Sequence, residues 1–161
     1  MTNPNSESIV NALPTQQQLL SMSGLEFMQS ILNGDLKGPP IANTLNFDLT
    51  RVEKGKVVFE GAPQSSAMNP MRTVHGGWYG TILDSCMACA VMTMVPQGSY
   101  YTTLEFKVNI IRPIPIGRRV AATGIIQHAG RSTGISNGEI RDLETERLYA
   151  TGSTTCIIMQ A

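Results

Sequence analysis

The chain has 161 residues, with twelve basic side chains balanced by twelve acidic ones. That length suits one domain with a sizeable core. The balance supplies neither the basic footprint of a nucleic-acid binder nor an anchor for an anionic membrane, so no nucleic-acid and no membrane partner is expected.

The opening "MTNPNSESIVNALP" lacks the basic start and apolar centre of a secretory signal, and no uncharged apolar run reaches bilayer length. With three cysteines, an odd count that argues against a disulfide framework, these features predict a cytoplasmic protein. Residues 1 to about 14, with Pro4 and Pro14, read as a frayed lead-in. From Thr15 to Leu32 the apolar residues Leu19, Leu20, Met22, Leu25, Met28, Ile31 and Leu32 recur every three or four positions, which predicts one amphipathic helix closed by "NGDLKGPP".

"NTLNFDLTRVEKGKVVFEGAP" predicts two extended runs around a turn at Glu53 to Gly55. Gly76 to Val95 is almost wholly apolar or small, ends at Pro96, and predicts a helix buried on every side. Four β-rich runs follow: "YYTTLEFKVNII", "RRVAATGIIQ", "STGISNGEIR" and "RLYATGSTTCIIM". This order predicts an α+β domain in which an antiparallel sheet curls around one central helix.

Asp84 is the only formally charged residue between Arg72 and Glu105. The plain reading is an Asp at a solvent-facing gap or bonded to a hydroxyl such as Ser85. Against it, a carboxylate in apolar surroundings costs several kcal/mol unless it is paired or neutralised, which marks Asp84 as a candidate functional group. His75, Gly76 and Gly77 fall at the expected helix start. There the amides lack intrahelical partners, sit at the positive end of the dipole and can hold negative charge on an oxygen. Glycine lets a ligand approach that backbone. At about 1.5 Å of rise per residue, Gly76 and Asp84 lie roughly 12 Å apart along the axis. No single ester group touches both, so the favoured arrangement takes the Asp from a second copy whose helix runs antiparallel about a two-fold axis.

Other constellations carry less. Cys86 and Cys89 form a C-x-x-C in mid-helix, where core packing is expected rather than redox chemistry, and no histidine pair completes a metal site. Arg112, Arg118, Arg119 and Arg131 fall at strand ends or turns; the alternative to a solvated rim is contact with phosphates.

"NPMRTVHGGWYGTILDSCMACAV", "TTLEFKVNIIRPIPIG" and "HAGRSTGISNGEIRDLETERLYATGSTTCII" resemble the PaaI-type acyl-CoA thioesterases of the hotdog fold. The likeness covers about Asn43 to Met159. It rests on an Asn, five residues, His-Gly-Gly, and an Asp nine after the His. The resemblance implies a long helix wrapped by a curved antiparallel sheet, a homodimer or dimer of dimers, and thioester hydrolysis with no metal and no cofactor beyond the coenzyme A of the substrate. It implies that Asp84 is general base or nucleophile, that the Gly76 amide polarises the thioester carbonyl, that His75 and Asn69 orient the thioester and the loop, and that Thr103 assists Asp84. Gly77, Trp78, Arg112 and Arg131 are the expected substrate-binding residues. Trp78 and Tyr79 depart from the small or aliphatic residues of relatives and tilt the acyl group towards a ring, with medium chains also open. The expected division is a lead-in and helix over 1–40 and the hotdog domain over 41–161. The competing readings are a non-catalytic acyl-CoA-binding hotdog protein and a hotdog enoyl-CoA hydratase or dehydratase, although the His-Phe-Pro of the latter is missing.

Overall fold

A computed structural model describes residues 12–161; the portion of the expected lead-in over residues 1–11 lies outside them. The single helix expected from Thr15 to Leu32 is two helices, α1 (Gln16–Leu20) and α2 (Gly24–Leu32). The break has a local cause. Ser23 takes an extended N-cap conformation, its hydroxyl accepts from the Glu26 amide, and Glu26 reaches back to the Ser23 amide, a capping box that starts a new helix. Thr15 and Gln18 do the same for α1. A third short helix, α3 (Pro40–Leu45), replaces the extended start expected at Asn43. Proline is pre-set for the first helical position, and Asn46, left-handed at φ 57°, ends the turn.

The hairpin β1 (Phe47–Glu53) and β2 (Lys56–Gly61) turns where expected, with Gly55 at φ 76°. The central helix α4 (Gly76–Met92) is buried along most of its length. The four later runs are β3 (Ser99–Ile110), β4 (Val120–Ala129), β5 (Thr133–Asp142) and β6 (Leu148–Gln160). They join the hairpin in one six-stranded antiparallel sheet of order β1-β2-β4-β5-β6-β3. The α+β arrangement and the central helix are thus as expected.

Seating of α4 on the sheet depends on glycine. Gly124, Gly138 and Gly152 stand directly opposite one another on β4, β5 and β6, forming a row across three strands. A Cβ at Gly124 would lie 2.1 Å from the Cys86 carbonyl oxygen, and one at Gly138 2.6 Å from Met87 Cγ. The helix therefore sits almost backbone to backbone on the sheet at Gly124, while the buried Met87 side chain fills the space over Gly138 and Gly152. Cys86 is fully buried and donates to the Leu83 carbonyl, and burial pushes the Cys89 thiol up to about 12. Both thiols belong to the packing of the helix, as the sequence suggested.

Away from α4, Asp142 holds the β5–β6 turn together. It is 2% exposed, accepts two bonds from the Arg118 guanidinium and one from the Tyr149 hydroxyl, and accepts from the amides of Glu144 and Thr145. The guanidinium foremost holds this carboxyl well below the ordinary carboxylate range. A lowered folded-state value stabilises the fold above the ordinary Asp value near 4, and that contribution is lost as pH falls below it. Asp142→Asn should lower Tm by several degrees at neutral pH, with the gap to the parent shrinking below about pH 4, as thermal melts across pH will show. A gap that is constant with pH would refute this account.

Candidate active site

The site is organised by the start of α4 and by the edge strand β3. His75 is the N-cap: its backbone is extended and its Nδ1 accepts from the Gly77 amide at 2.9 Å, so the proton of the neutral ring belongs on Nε2. The Gly77 amide is thereby engaged. The Gly76 amide is the first of the helix, has no intrahelical partner and lies on an exposed residue.

Asn69 shapes the loop before it. Its Oδ1 accepts from the amides of Met71 (2.9 Å) and Thr73 (3.2 Å), and its Nδ2 donates to the Thr73 hydroxyl at 2.8 Å. This turn holds Arg72 at φ 62°. Together Asn69, Gly76, Tyr79, Ile110 and Arg112 wall a cavity of about 330 Å³ at the helix start. Three expected site residues, Asn69, Gly76 and Arg112, thus meet in space.

Asp84 lies two turns further along α4 and is half-buried. Its Oδ1 accepts from the Thr103 hydroxyl at 3.1 Å. Burial raises the carboxyl above its ordinary value, and the Thr103 bond opposes this only in part. The pairing of β3 with β6 shifts register between Thr103 and Glu105, a bulge immediately beside that bond.

Helix and edge strand run past one another in opposite senses. A Cβ on Gly76 would meet Ile110 at 3.6 Å and one on Gly80 would meet the Phe106 ring at 3.4 Å, while Asp84 meets Thr103. Gly76 and Asp84 occupy separate stations on this stripe, as the helical rise requires.

Trp78 was expected at the acyl pocket. It is 2% exposed, and its indole Nε1 donates to the Leu45 carbonyl at 2.8 Å, tying α3 to α4. It walls neither the cavity at Gly76 nor the larger one described below. The Tyr79 hydroxyl accepts from the Ile114 amide at 2.8 Å, so both aromatic rings have their polar atoms committed to the frame. Of the four arginines, Arg118 pairs with Asp142 and Arg119 with Glu60. Arg112 donates to the Leu148 carbonyl and Arg131 lies exposed in the β4–β5 turn; among the described residues neither has a carboxylate partner.

Among the described residues, no three His, Cys, Asp or Glu side chains gather as metal ligands, and no helix is long and apolar enough to cross a membrane.

The model of the thioesterase superfamily matches residues 71–149. A Caenorhabditis elegans protein named as an esterase is 28% identical over 156 residues, covering 94% of this chain and 88% of its own. Acyl-coenzyme A thioesterase 13 of Mus musculus is 24% identical over 100 residues, covering 62% of this chain and 71% of its own. Acyl-coenzyme A thioesterase PaaI of Escherichia coli is 25% identical over 99 residues, 62% of this chain and 69% of its own. The solved structure of the E. coli PaaI protein superimposes with a TM-score of 0.74, at 20% identity over 88% of this chain and 97% of that one. The superposition gives the same fold, a curved antiparallel sheet around one long helix.

Proposed function

We propose, from the likeness of this chain to the PaaI-type hotdog thioesterases, that it hydrolyses acyl-CoA thioesters with an aromatic or medium-chain acyl group, at sites shared between two copies. The observation that carries this reading is the half-buried Asp84, fixed by Thr103 within an otherwise uncharged helix that begins with a free amide at Gly76.

The chemistry follows from those two stations. Water oxygen bonds to the carbonyl carbon, the carbon–sulfur bond breaks, and coenzyme A leaves as thiolate and takes a proton, with the free acid as the other product. Asp84 serves this step either as the base that takes the water proton or as the nucleophile whose mixed anhydride water then opens. The raised carboxyl value makes it a stronger base than a solvated Asp. Negative charge on the former carbonyl oxygen is met by the Gly76 amide and the positive end of α4. His75, by capping the first turn, and Asn69, by bonding the loop, hold that amide in place.

A second copy is needed because Gly76 and Asp84 stand about 12 Å apart along one helix. β3 is the longer of the two edge strands of the sheet, twelve residues against seven in β1, with Leu104 58%, Phe106 46% and Ile110 50% exposed. Such an edge in water invites pairing with another chain. Two-fold pairing there sets the two α4 helices antiparallel, so that the Gly76 of one copy comes towards the Asp84 of the other. Arg112, beside the Gly76 cavity, and Arg131 are the cations offered to the phosphates of coenzyme A.

Gly76→Pro tests the oxyanion role. Proline is tolerated at the first helical position, the extended His75 before it suits proline, and a Cβ at Gly76 meets only Ile110 at 3.6 Å. The variant deletes one N–H and little else. Thiol release from acyl-CoA should fall about 10²–10³-fold in kcat with the helical circular dichroism retained; undiminished kcat would remove Gly76 from the mechanism.

A further inference from the structure

A second cavity, larger than the first, lies away from the Gly76 entrance. About 670 Å³ in volume, within the usual range for ligand pockets, it is roofed by α1, α2 and the segment after them and floored by α4, β1 and β3. Leu19, Phe27 and Ile31 line it from above; Cys89, Met92 and Tyr101 line it from below. Its charged wall residues, Lys37 and Asp48, are exposed and stand at the rim.

One end of this cavity adjoins the catalytic carboxylate. Ser85, the residue after Asp84, is part of the wall, and Tyr101 is on the same face of β3 as Thr103, two residues away. On α4 the residues Ser85, Cys89 and Met92 follow at four- and three-residue spacing, forming one face that leads away from Asp84. The roof is tied down rather than loose: the Gly24 amide donates to the Val95 carbonyl at 2.9 Å, and Gln97 donates to the Ser21 carbonyl at 2.8 Å.

We infer that this cavity receives the aliphatic tail of the acyl group, so that α1 and α2 measure chain length and the preferred substrate is a straight medium-length chain rather than a ring. This rests on the thioesterase reading, because it takes the carbonyl to lie at Asp84. From Ser85 to Met92 the helix advances about 10 Å. At about 1.25 Å per carbon for an extended chain of 1.5 Å bonds, that run holds roughly eight carbons beyond the carbonyl. The apolar floor rewards each methylene, whereas short acyl groups leave it unfilled.

The test uses Cys89→Phe, which fills the middle of the cavity, and Phe27→Ala, which opens its roof. Hydrolysis of butanoyl-, decanoyl- and hexadecanoyl-CoA is followed by thiol release. Binding of S-decyl-CoA and S-ethyl-CoA, thioethers that cannot be hydrolysed, is followed by calorimetry on the same proteins. The parent should prefer decanoyl to butanoyl by about tenfold or more in kcat/KM and bind S-decyl-CoA about tenfold or more tightly than S-ethyl-CoA. Cys89→Phe should lose both preferences, and Phe27→Ala should gain turnover on hexadecanoyl-CoA relative to decanoyl-CoA. Equal loss on all chain lengths in a folded Cys89→Phe protein, or no preference for the decyl thioether in the parent, overturns the inference. If no ester is hydrolysed while the decyl preference and its loss in Cys89→Phe persist, the thioesterase reading fails and the tail site stands.

Discussion

Mixing Asp84→Asn protomers with Gly76→Pro protomers, each inactive alone, should restore about a quarter of the parent's thioesterase activity once subunits have exchanged. In a random mixture about half of the dimers contain one protomer of each kind, and in each of those one of two sites combines an intact Gly76 amide with an intact Asp84. A site built within one chain would give no recovery, because every copy then lacks one half of the machinery. Asp84→Asn alone should reduce kcat by at least about 10³-fold, since an amide neither takes the water proton nor attacks the carbonyl. The substitution is nearly isosteric and keeps an oxygen for the Thr103 hydroxyl to bond.

The same variant separates activity from stability. Burial raises the folded-state value of Asp84, so the parent carries an ionisation cost that appears as pH climbs from the ordinary Asp value through the raised one and stays constant above it. Asp84→Asn should therefore melt higher than the parent at neutral pH and level with it in acid. The acid limb of kcat/KM in the parent should lie above the ordinary Asp range, and an acid limb near 4 would show that burial does not raise the catalytic carboxyl.

Gly124→Ala is expected to cost the most stability for the least chemistry. The added methyl carbon would sit 2.1 Å from the Cys86 carbonyl oxygen and 2.7 Å from the Met87 nitrogen, both of them backbone atoms of α4 that no rotamer change can move. Overpacking in a close-packed core typically costs about 1–3 kcal/mol, and this site belongs at or beyond the upper end. For a chain of this size that is a fall in Tm of roughly 10 °C. Gly38→Ala, whose Cβ would meet only Ile31 at 3.4 Å, is the control and should leave Tm nearly unchanged. Equal melting of the two variants would show that α4 is free to shift away from the sheet.

Much of this was written in local pattern. Asp84 stood out because it is the lone formal charge in a long apolar stretch, and α4 and the four later strands announced themselves by length and composition. The split between α1 and α2 was also legible, in Ser23 and Glu26 at capping-box spacing, but the three-and-four periodicity ran across the break and hid it. α3 was obscured because its six residues are too few for periodicity. The glycine row could not be read in advance: Gly124, Gly138 and Gly152 become neighbours only through strand register, which one sequence does not state. Trp78 invited a role at the substrate from its neighbourhood alone, whereas the Leu45 carbonyl that engages its indole lies more than thirty residues away.

The glycine row divides the molecule mechanically. Where α4 rests on β4, β5 and β6, backbone meets backbone at Gly124 and the buried Met87 side chain fills the space over Gly138 and Gly152, so that wall behaves as an anvil. On its opposite flank the end of the helix packs against α2 through a second apolar cluster, in which the buried Met28 joins Val91, Met92 and Val95, and the larger cavity opens beside that seam. Any accommodation of a bulkier guest is therefore borne by α1 and the exposed segment after α2, while the depth of the carboxylate stays fixed.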